Sequence, residues 1–188
     1  MIVTKELRAE IRNRREPAVM FNGKQTPGSV PFLREMLTTV DDPDDRDALL
    51  GELAGEYLRA DLDDEHLLVQ RERVADCPDD AVKLVGLAHS LCLRSDSIEE
   101  AKQVIAKGVE ISRNSGTLIR YSLICQADVA RKANDSVLFE QTLRELIADA
   151  PNYRDDDCNL DDSILAKLPS GFCSPELEEQ YRSLLEPA

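Results

Sequence analysis

The sequence predicts an all-α protein made of antiparallel helical hairpins. Its 188 residues are 42% hydrophobic but only 4% aromatic, and they include no Trp. Ala, Leu, Glu, Arg and Asp dominate, whereas runs of the β-branched and aromatic residues that favour strands are few. Apolar residues recur at helical spacing. The segments between these stretches are only a few residues long, which forces neighbouring helices to run antiparallel.

The N-terminal part is predicted to form an arm with two short helices. A first helix over residues 4–15 begins at a threonine cap. Residues 17–29 are rich in Pro, Gly and Asn and are expected to form a loop. A second helix over residues 31–40 is opened by Ser29 and Pro31, and the acidic run that follows ends it.

The central part is more regular, and six helices of three to four turns are predicted there. Leu49, Leu50 and Leu53 form one of several apolar stripes at helical spacing. Ser97 and Glu100 have the spacing of a capping box, in which the hydroxyl and the carboxylate each satisfy a backbone N–H. The six helices are expected at about residues 45–60, 63–76, 79–94, 97–112, 116–133 and 136–149.

The C-terminal part begins with a polar, acidic stretch over residues 152–162. A final helix starts with Ser174 as cap and Pro175 just inside it. Its narrow apolar stripe, which includes Leu177 and Tyr181, is predicted to cover the exposed end of the preceding helices. We therefore predict a single domain over residues 1–188, composed of an N-terminal arm (1–44), three helical hairpins (45–151), and an acidic loop with a capping helix (152–188).

The three central hairpins recur at a nearly constant period. Pro78, Arg113 and Pro151 close the second helix of each hairpin, at spacings of 35 and 38 residues. These spacings are close to the roughly 34 residues of a tetratricopeptide repeat. The middle hairpin also carries apolar, acidic and small residues in that family's order, namely Ile98, Glu100, Ala101, Ile105, Gly108 and Val109. Residues 45–151 therefore resemble tetratricopeptide repeats.

The resemblance implies a short, right-handed solenoid with extra N- and C-terminal helices. The chain departs from the family pattern at three positions, because His89, His66 and Phe139 stand where small residues are expected. His66 and His89 are interpreted as packed, hydrogen-bonded residues, not as ligands.

Tetratricopeptide arrays bind other proteins along a concave face formed by the first helix of each repeat. In this chain that face would be lined by Arg59, Lys83, Ser90, Arg94, Tyr121, Asp128 and Arg131. The Lys, Asn and Arg clamp with which some members hold a C-terminal carboxylate is absent from the matching positions. The resemblance therefore implies a non-enzymatic module that binds a protein partner, and no cofactor.

The charge of the chain suggests an alternative function. The net charge of −14 disfavours nucleic acid and anionic membranes as partners. Residues 1–24 hold six Lys or Arg against three Glu, whereas residues 41–80 hold fifteen Asp or Glu against four Arg. An acidic inhibitor or immunity protein that neutralises a basic toxin or nuclease would fit this pattern. Its binding face would contain Asp44, Asp45, Asp61, Asp63, Asp64 and Glu65.

Catalytic and metal sites are not predicted. No GxSxG, HExxH or phosphate-loop motif occurs, and five widely spaced Cys with two His do not form a zinc framework. The alternating Asp155, Asp157, Asn159 and Asp161 resemble a calcium loop, but its Gly and its final Glu are missing. Cys92 and Cys125 are expected to be small core residues.

The cellular setting and the oligomeric state are predicted from the same features. The cysteine pattern and the absence of an early apolar segment predict a cytoplasmic protein without a membrane span. Self-association is left open, since the weakly apolar N-terminal arm could dock on a second copy.

Overall fold

The computed structural model describes residues 3–149, 162–166 and 168–185, and most of these residues are helical, as the sequence predicted. The contacts divide the chain into two compact units, Met1–Asp76 and Cys77–Ala188. We call them the N-terminal and the C-terminal unit and describe each by itself. That the two units together form a single domain stays a prediction. The solenoid arrangement of three hairpins also stays a prediction.

The described residues of the N-terminal unit form four helices around one apolar core. The helices are α1 (Lys5–Asn13), α2 (Ser29–Leu37), α3 (Pro43–Arg59) and α4 (Asp63–Asp76). Residues of the predicted arm and of the first predicted hairpin share this core, which includes Ile11, Val30, Leu33, Leu49, Leu50, Leu53 and Val69. The arm is therefore an integral part of the unit.

A β-hairpin occupies much of the segment that was predicted to be a loop. Strand β1 (Val19–Phe21) pairs antiparallel with β2 (Lys24–Thr26). The turn residues Asn22 and Gly23 have φ angles of 49° and 79°. Asn-Gly is the dipeptide that adopts two positive φ angles most readily in a two-residue hairpin turn. The loop prediction was wrong here, although the sequence carried the signal.

The start of α2 also differs from the prediction. Gly28 is the cap, and Ser29 is a buried residue of the helix itself. The Ser29 hydroxyl donates a hydrogen bond to Glu56 Oε2 at 2.7 Å, so it serves a contact with α3. A Cβ at Gly28 would lie 2.4 Å from the backbone oxygen of Arg14, which leaves room only for glycine.

The described residues of the C-terminal unit form five helices. They are α5 (Ala81–Leu91), α6 (Ile98–Ser115), α7 (Ile119–Lys132), α8 (Ser136–Asp149) and α9 (Pro175–Ser183), with 3₁₀ turns over Ser95–Ser97 and Asp162–Ile164. Each of the helices α5 to α8 packs on the next, and α5 also contacts α7. Gly108 lies in the contact between α5 and α6, where an added Cβ would lie 3.5 Å from Leu84 Cβ, an ordinary van der Waals distance.

Polar contacts fix the ends and faces of these helices. The hydroxyls of Ser112 on α6 and Ser122 on α7 are 2.7 Å apart in the buried interface of the two helices. Gly116 ends α6 in the left-handed conformation with φ of 71°, as a C-terminal glycine commonly does. The capping-box prediction was wrong for Ser97, because its hydroxyl bonds the Asp96 carboxylate and not a backbone N–H of α6.

Helix α9 packs on the core of the C-terminal unit through the predicted apolar stripe. Leu177 and Tyr181 are buried in a cluster with residues of α7 and α8. Phe139 and Phe172 meet edge to face, with ring centroids 5.3 Å apart. Ser174 stands at the cap position as predicted, but its side chain makes no capping bond. Its backbone N–H instead donates to Glu140 Oε1 at 2.9 Å.

Two further observations complete the fold. Among the described residues, none of the helices is both long enough and apolar enough to cross a bilayer. The predicted closing residue Pro151 and the calcium-like residues 155–161 lie outside the described part of the chain.

Candidate functional site

A cleft of about 360 Å³ opens between α5 and α7 in the C-terminal unit. Helix α5 contributes His89 near its C-terminal end, and Cys92 follows at the cap. Helix α7 contributes both apolar and charged side chains, and the 3₁₀ turn before α9 contributes Ile164. The cleft therefore has walls from three separate segments, all held by the core of the unit.

Three of the predicted groove residues meet in this cleft. Tyr121, Asp128 and Arg131 all line it. They share one face of α7, because spacings of seven and three residues correspond to nearly whole helical turns. The Arg131 guanidinium forms an ion pair with the Asp128 carboxylate.

A second cleft of about 440 Å³ continues from Cys92, which lines both. Its lining includes Arg94, Ile98 and Lys132, so a fourth predicted residue, Arg94, lies here. The Lys132 ammonium is 3.9 Å from Asp128 Oδ2, and Arg94 Nε is 3.5 Å from Asp96 Oδ1. We call the two clefts together the α5–α7 groove.

The other three predicted groove residues do not line the α5–α7 groove. Lys83 is buried, and its ammonium lies 3.8 Å from Asp80 Oδ2. Ser90 is also buried, and its hydroxyl donates to the Gly86 carbonyl at 2.8 Å. Arg59 belongs to the N-terminal unit, where it donates to Glu56 at 2.7 Å.

The two histidines differ from each other. His66 is buried, and its Nδ1 lies 2.9 Å from the Ala54 carbonyl oxygen, which confirms its interpretation as a packed, hydrogen-bonded residue. His89 is exposed and lines the α5–α7 cleft, so the prediction that it is packed was wrong. The buried side of α5 is formed by Leu84, Ala88 and Leu91, whereas His89 lies on another side of the helix.

The cysteines predicted to be small core residues are half-buried in the wall of the cleft. Cys92 and Cys125 both line it. Burial raises the pKa of the Cys92 thiol to about 11. The thiol is therefore protonated near neutral pH, and a protonated thiol is a poor nucleophile. This cysteine contributes a soft apolar surface to the groove.

The predicted acidic face is divided between the two ends of the α3–α4 hairpin. Asp44 lies at the first turn of α3, whereas Asp61, Asp63 and Asp64 lie at the α3–α4 turn and the start of α4. At 1.5 Å per residue, these ends are about 24 Å apart along α3. Asp45 is only 4% exposed, so its prediction as a surface residue was wrong.

Several basic residues of the N-terminal arm form ion pairs with acidic residues of α3 and α4. The Glu65 carboxylate forms an ion pair with Lys24 of the β-hairpin. Arg8 Nε is 2.8 Å from Glu52 Oε1, and Arg15 Nη2 is 2.8 Å from Glu56 Oε1. Part of the acidity that the sequence offers to a partner is thus neutralised within the unit.

Comparison with known proteins gives no relative: no family model matches the chain, and no match was found among curated proteins or solved structures. The resemblance to tetratricopeptide repeats therefore rests on the sequence pattern. Within the described ranges, no three His, Cys, Asp or Glu residues are grouped so as to hold a metal ion.

Proposed function

We propose that this chain is a non-enzymatic interaction module that binds a peptide segment of a protein partner in the α5–α7 groove. The observation that carries the proposal is the cleft between α5 and α7, where Tyr121, Asp128 and Arg131 surround an open volume of about 360 Å³. Concave sites of this size, with apolar walls and a few polar groups, are typical of binding sites.

The lining of the cleft supports anchoring by an apolar side chain. Ile124 is partly buried, and Val129 and Ile164 are almost fully buried, so the inner surface is apolar. Tyr121 is half-buried and adds an aromatic ring. Partner side chains that enter here gain about 25 cal/mol for each Å² of apolar surface removed from water.

The rigidity of the walls supports tight binding without folding of the site. The α5–α6 and α6–α7 contacts are closely packed at Gly108 and at the Ser112–Ser122 pair. Both walls therefore rest on α6. A preformed site avoids much of the entropy cost of ordering the binding surface.

We also propose that α5 to α8 are two tetratricopeptide-like hairpins. The contact of α5 with α7, in addition to that with α6, is the contact expected between first helices of stacked hairpins. Buried small residues support this: Ala101, which the resemblance includes, is fully buried, and so are Ala127 and Ala130 of α7.

The inhibitor alternative receives less support from the same coordinates. A basic partner would have to contact acidic groups about 24 Å apart along α3 in order to use the whole predicted set. Asp45 is buried, and Glu65 is already paired with Lys24. The remaining exposed acids at the α3–α4 turn and the start of α4, namely Asp61, Asp63 and Asp64, define the smaller surface that this alternative would use.

Selection from a library of displayed random peptides tests the proposal. We expect the full chain to enrich peptides whose binding is lost when Tyr121→Ala is introduced, since this change removes the aromatic wall of the cleft. Leu118→Ala, which changes an exposed apolar side chain outside both clefts, is the matched control. If no enriched peptide distinguishes Tyr121→Ala from the control, the groove is not a peptide site.

A further inference from the structure

The rim of the α5–α7 groove has a charge opposite to that of the chain. The whole chain carries −14, but the described residues that line the two clefts include three cations, Arg94, Arg131 and Lys132, against one carboxylate, Asp128; Asp96 lies beside the groove, 3.5 Å from Arg94 Nε. The side chains of the cations are 23% to 34% exposed, so they are accessible and partly desolvated. Charges in a partly desolvated cleft are less screened than those on an open surface.

Arg131 also retains an unused hydrogen-bond donor. One of its terminal nitrogens contacts Asp128, but its buried Nε has no hydrogen-bond partner within the described residues. A buried donor without a partner is destabilising. Because the Nε is buried, an incoming carboxylate would bind the exposed terminal part of the Arg131 guanidinium, whose side chain is 23% exposed.

Apolar surface lies between and beside these cations. Leu93 is 40% exposed and Ile98 is partly exposed in the second cleft, and Ile124 lines the first. A ligand that matches both features has apolar side chains flanked by carboxylates. A phosphate backbone would match the cations but would leave the apolar surface exposed.

We propose that the α5–α7 groove selects acidic peptide segments of a partner protein, with an apolar anchor in the first cleft and carboxylates at Arg94, Arg131 and Lys132. This inference rests on the proposed function and specifies the chemical class of the peptide that the groove binds. It also reverses the charge expected from the composition, because the acidic chain would bind an acidic segment at a groove lined by cations. The Asp128 carboxylate pairs with Arg131 and Lys132, and its negative charge lowers the affinity of the groove for other carboxylates.

The test compares three fluorescein-labelled synthetic peptides by fluorescence polarisation with the full chain. The first has Leu and Phe flanked by Asp and Glu, the second replaces the acids with Lys, and the third replaces Leu and Phe with Ser. We expect only the first to bind well. Its affinity should fall by about tenfold or more in the Arg94→Glu/Lys132→Glu variant, because like charges repel across the contact.

Two further variants separate electrostatic recognition from loss of folding. Arg182→Glu changes an exposed cation of α9 that lies outside both clefts, and it should alter the affinity by less than about twofold because salt screens it. Asp128→Asn removes the only carboxylate among the described lining residues. It should raise the affinity for the acidic peptide severalfold, a gain that misfolding would not produce.

Several outcomes would overturn the inference, and they differ from those that overturn the proposed function. If the Lys peptide binds better and its binding still depends on Tyr121, the groove binds peptides but does not select acidic ones. Equal binding by the double variant and Arg182→Glu would show that Arg94 and Lys132 do not contact the ligand, and would leave Lys132 only the role of balancing the C-terminal dipole of α7. If a single-stranded DNA oligonucleotide of the same charge displaces the acidic peptide, the cations of the groove bind phosphate groups and do not select peptides.

Discussion

Glu56 illustrates how single residues determine the structure of the N-terminal unit. Its carboxylate has no exposed surface, and it accepts hydrogen bonds from Arg15, Arg59 and Ser29 at 2.7–3.0 Å. These donors come from the segment after α1, from α3 itself and from the start of α2. A buried carboxylate is tolerated only when such partners surround it. Glu56 thus joins the N-terminal arm to α3.

Replacement of Glu56 by Gln should destabilise the N-terminal unit by about 3 kcal/mol, because it leaves the Arg15 and Arg59 guanidinium groups without their charged acceptor. Glu52→Gln is the matched control, since Glu52 pairs with the exposed Arg8 and such pairs contribute less than about 1 kcal/mol. Urea unfolding of both variants measures the difference. Equal effects would show that the buried network contributes no more than a surface pair.

The Cys92 thiol should react slowly with iodoacetamide at pH 7.5. Burial raises its pKa to about 11, so only a very small fraction is present as the reactive thiolate. Peptide mass spectrometry of the native chain, with the chain unfolded in urea as the control, measures the labelling rate. Labelling of native Cys92 as fast as in urea would contradict the burial of this side chain.

At the scale of elements, the start of α8 depends on a charged contact that should titrate. Asp135 accepts a hydrogen bond from Lys102 Nζ at 2.7 Å and another from the Leu138 N–H at 3.0 Å. These bonds, led by that from Lys102, lower the Asp135 pKa below 3.8. A lowered pKa means that the stabilisation is present above the unfolded-state pKa and is lost as the pH falls through the folded-state value.

Asp135→Asn should therefore cost about 1 kcal/mol at pH 7, and the difference from wild type should shrink as the pH falls below about 4. Urea unfolding at a series of pH values measures this. Asp79→Asn, at an exposed carboxylate before α5, should change the unfolding free energy by less than about 0.5 kcal/mol. A difference for Asp135→Asn that stays constant down to pH 2 would refute the role of its charge.

Helix α9 should contribute strongly to the stability of the C-terminal unit through one residue. Tyr181 is fully buried among residues of α7 and α8, so Tyr181→Ala leaves a large cavity and should cost about 3–5 kcal/mol. Arg182→Ala changes the neighbouring exposed residue and should cost less than about 0.5 kcal/mol. Thermal unfolding monitored by circular dichroism compares the two, and similar melting temperatures would contradict the packing of α9.

The elements also show which parts of the fold the sequence could predict. Helix α4 begins and ends where its periodicity and flanking residues predicted, at Asp63 and Asp76. The β-hairpin was missed because composition was weighed above the Asn22-Gly23 turn signal. Ser97 was misassigned because a capping box depends on side-chain orientation, which a 3₁₀ turn before α6 changes.

Helical periodicity could predict which candidate residues share a face of one helix, but not which residues of two helices line the same cleft. Tyr121, Asp128 and Arg131 were selected by their common face on α7, which helical periodicity determines. Lys83 and Ser90 were placed in the groove, but both are buried, because an error of one residue rotates a side chain by about 100°. Lys132 was missed, since its position in the groove depends on the crossing of α5 and α7.

At the scale of the whole molecule, the chain has two apolar cores, one in each unit. The core of the C-terminal unit includes Val109, Leu123, Phe139, Leu143 and Tyr181, all contributed by the unit itself. A fragment of residues 77–188 should therefore fold alone and unfold cooperatively. Circular dichroism during urea titration measures this, with the fragment carrying Tyr181→Ala as the control. A gradual loss of helix without a transition would contradict the independence of the core.

The charge of the molecule is likewise distributed unevenly between surfaces. Basic residues of the arm pair with α3 and α4, whereas the cations of the α5–α7 groove are held by Asp96 and Asp128 at its rim. Net charge alone suggested a basic partner. We propose an acidic partner instead, because a ligand responds to the nearest partly desolvated charges more than to distant screened ones.

The most direct test of the peptide groove is a titration of the ¹⁵N-labelled full chain with the acidic Leu- and Phe-containing peptide, followed through the backbone amide signals. We expect the largest shift changes on α5 and α7, at residues that include His89, Tyr121 and Arg131, and little change on α3 and α4. Changes concentrated at Asp61 and Asp63 instead, or no saturable change at all, would contradict binding in the α5–α7 groove.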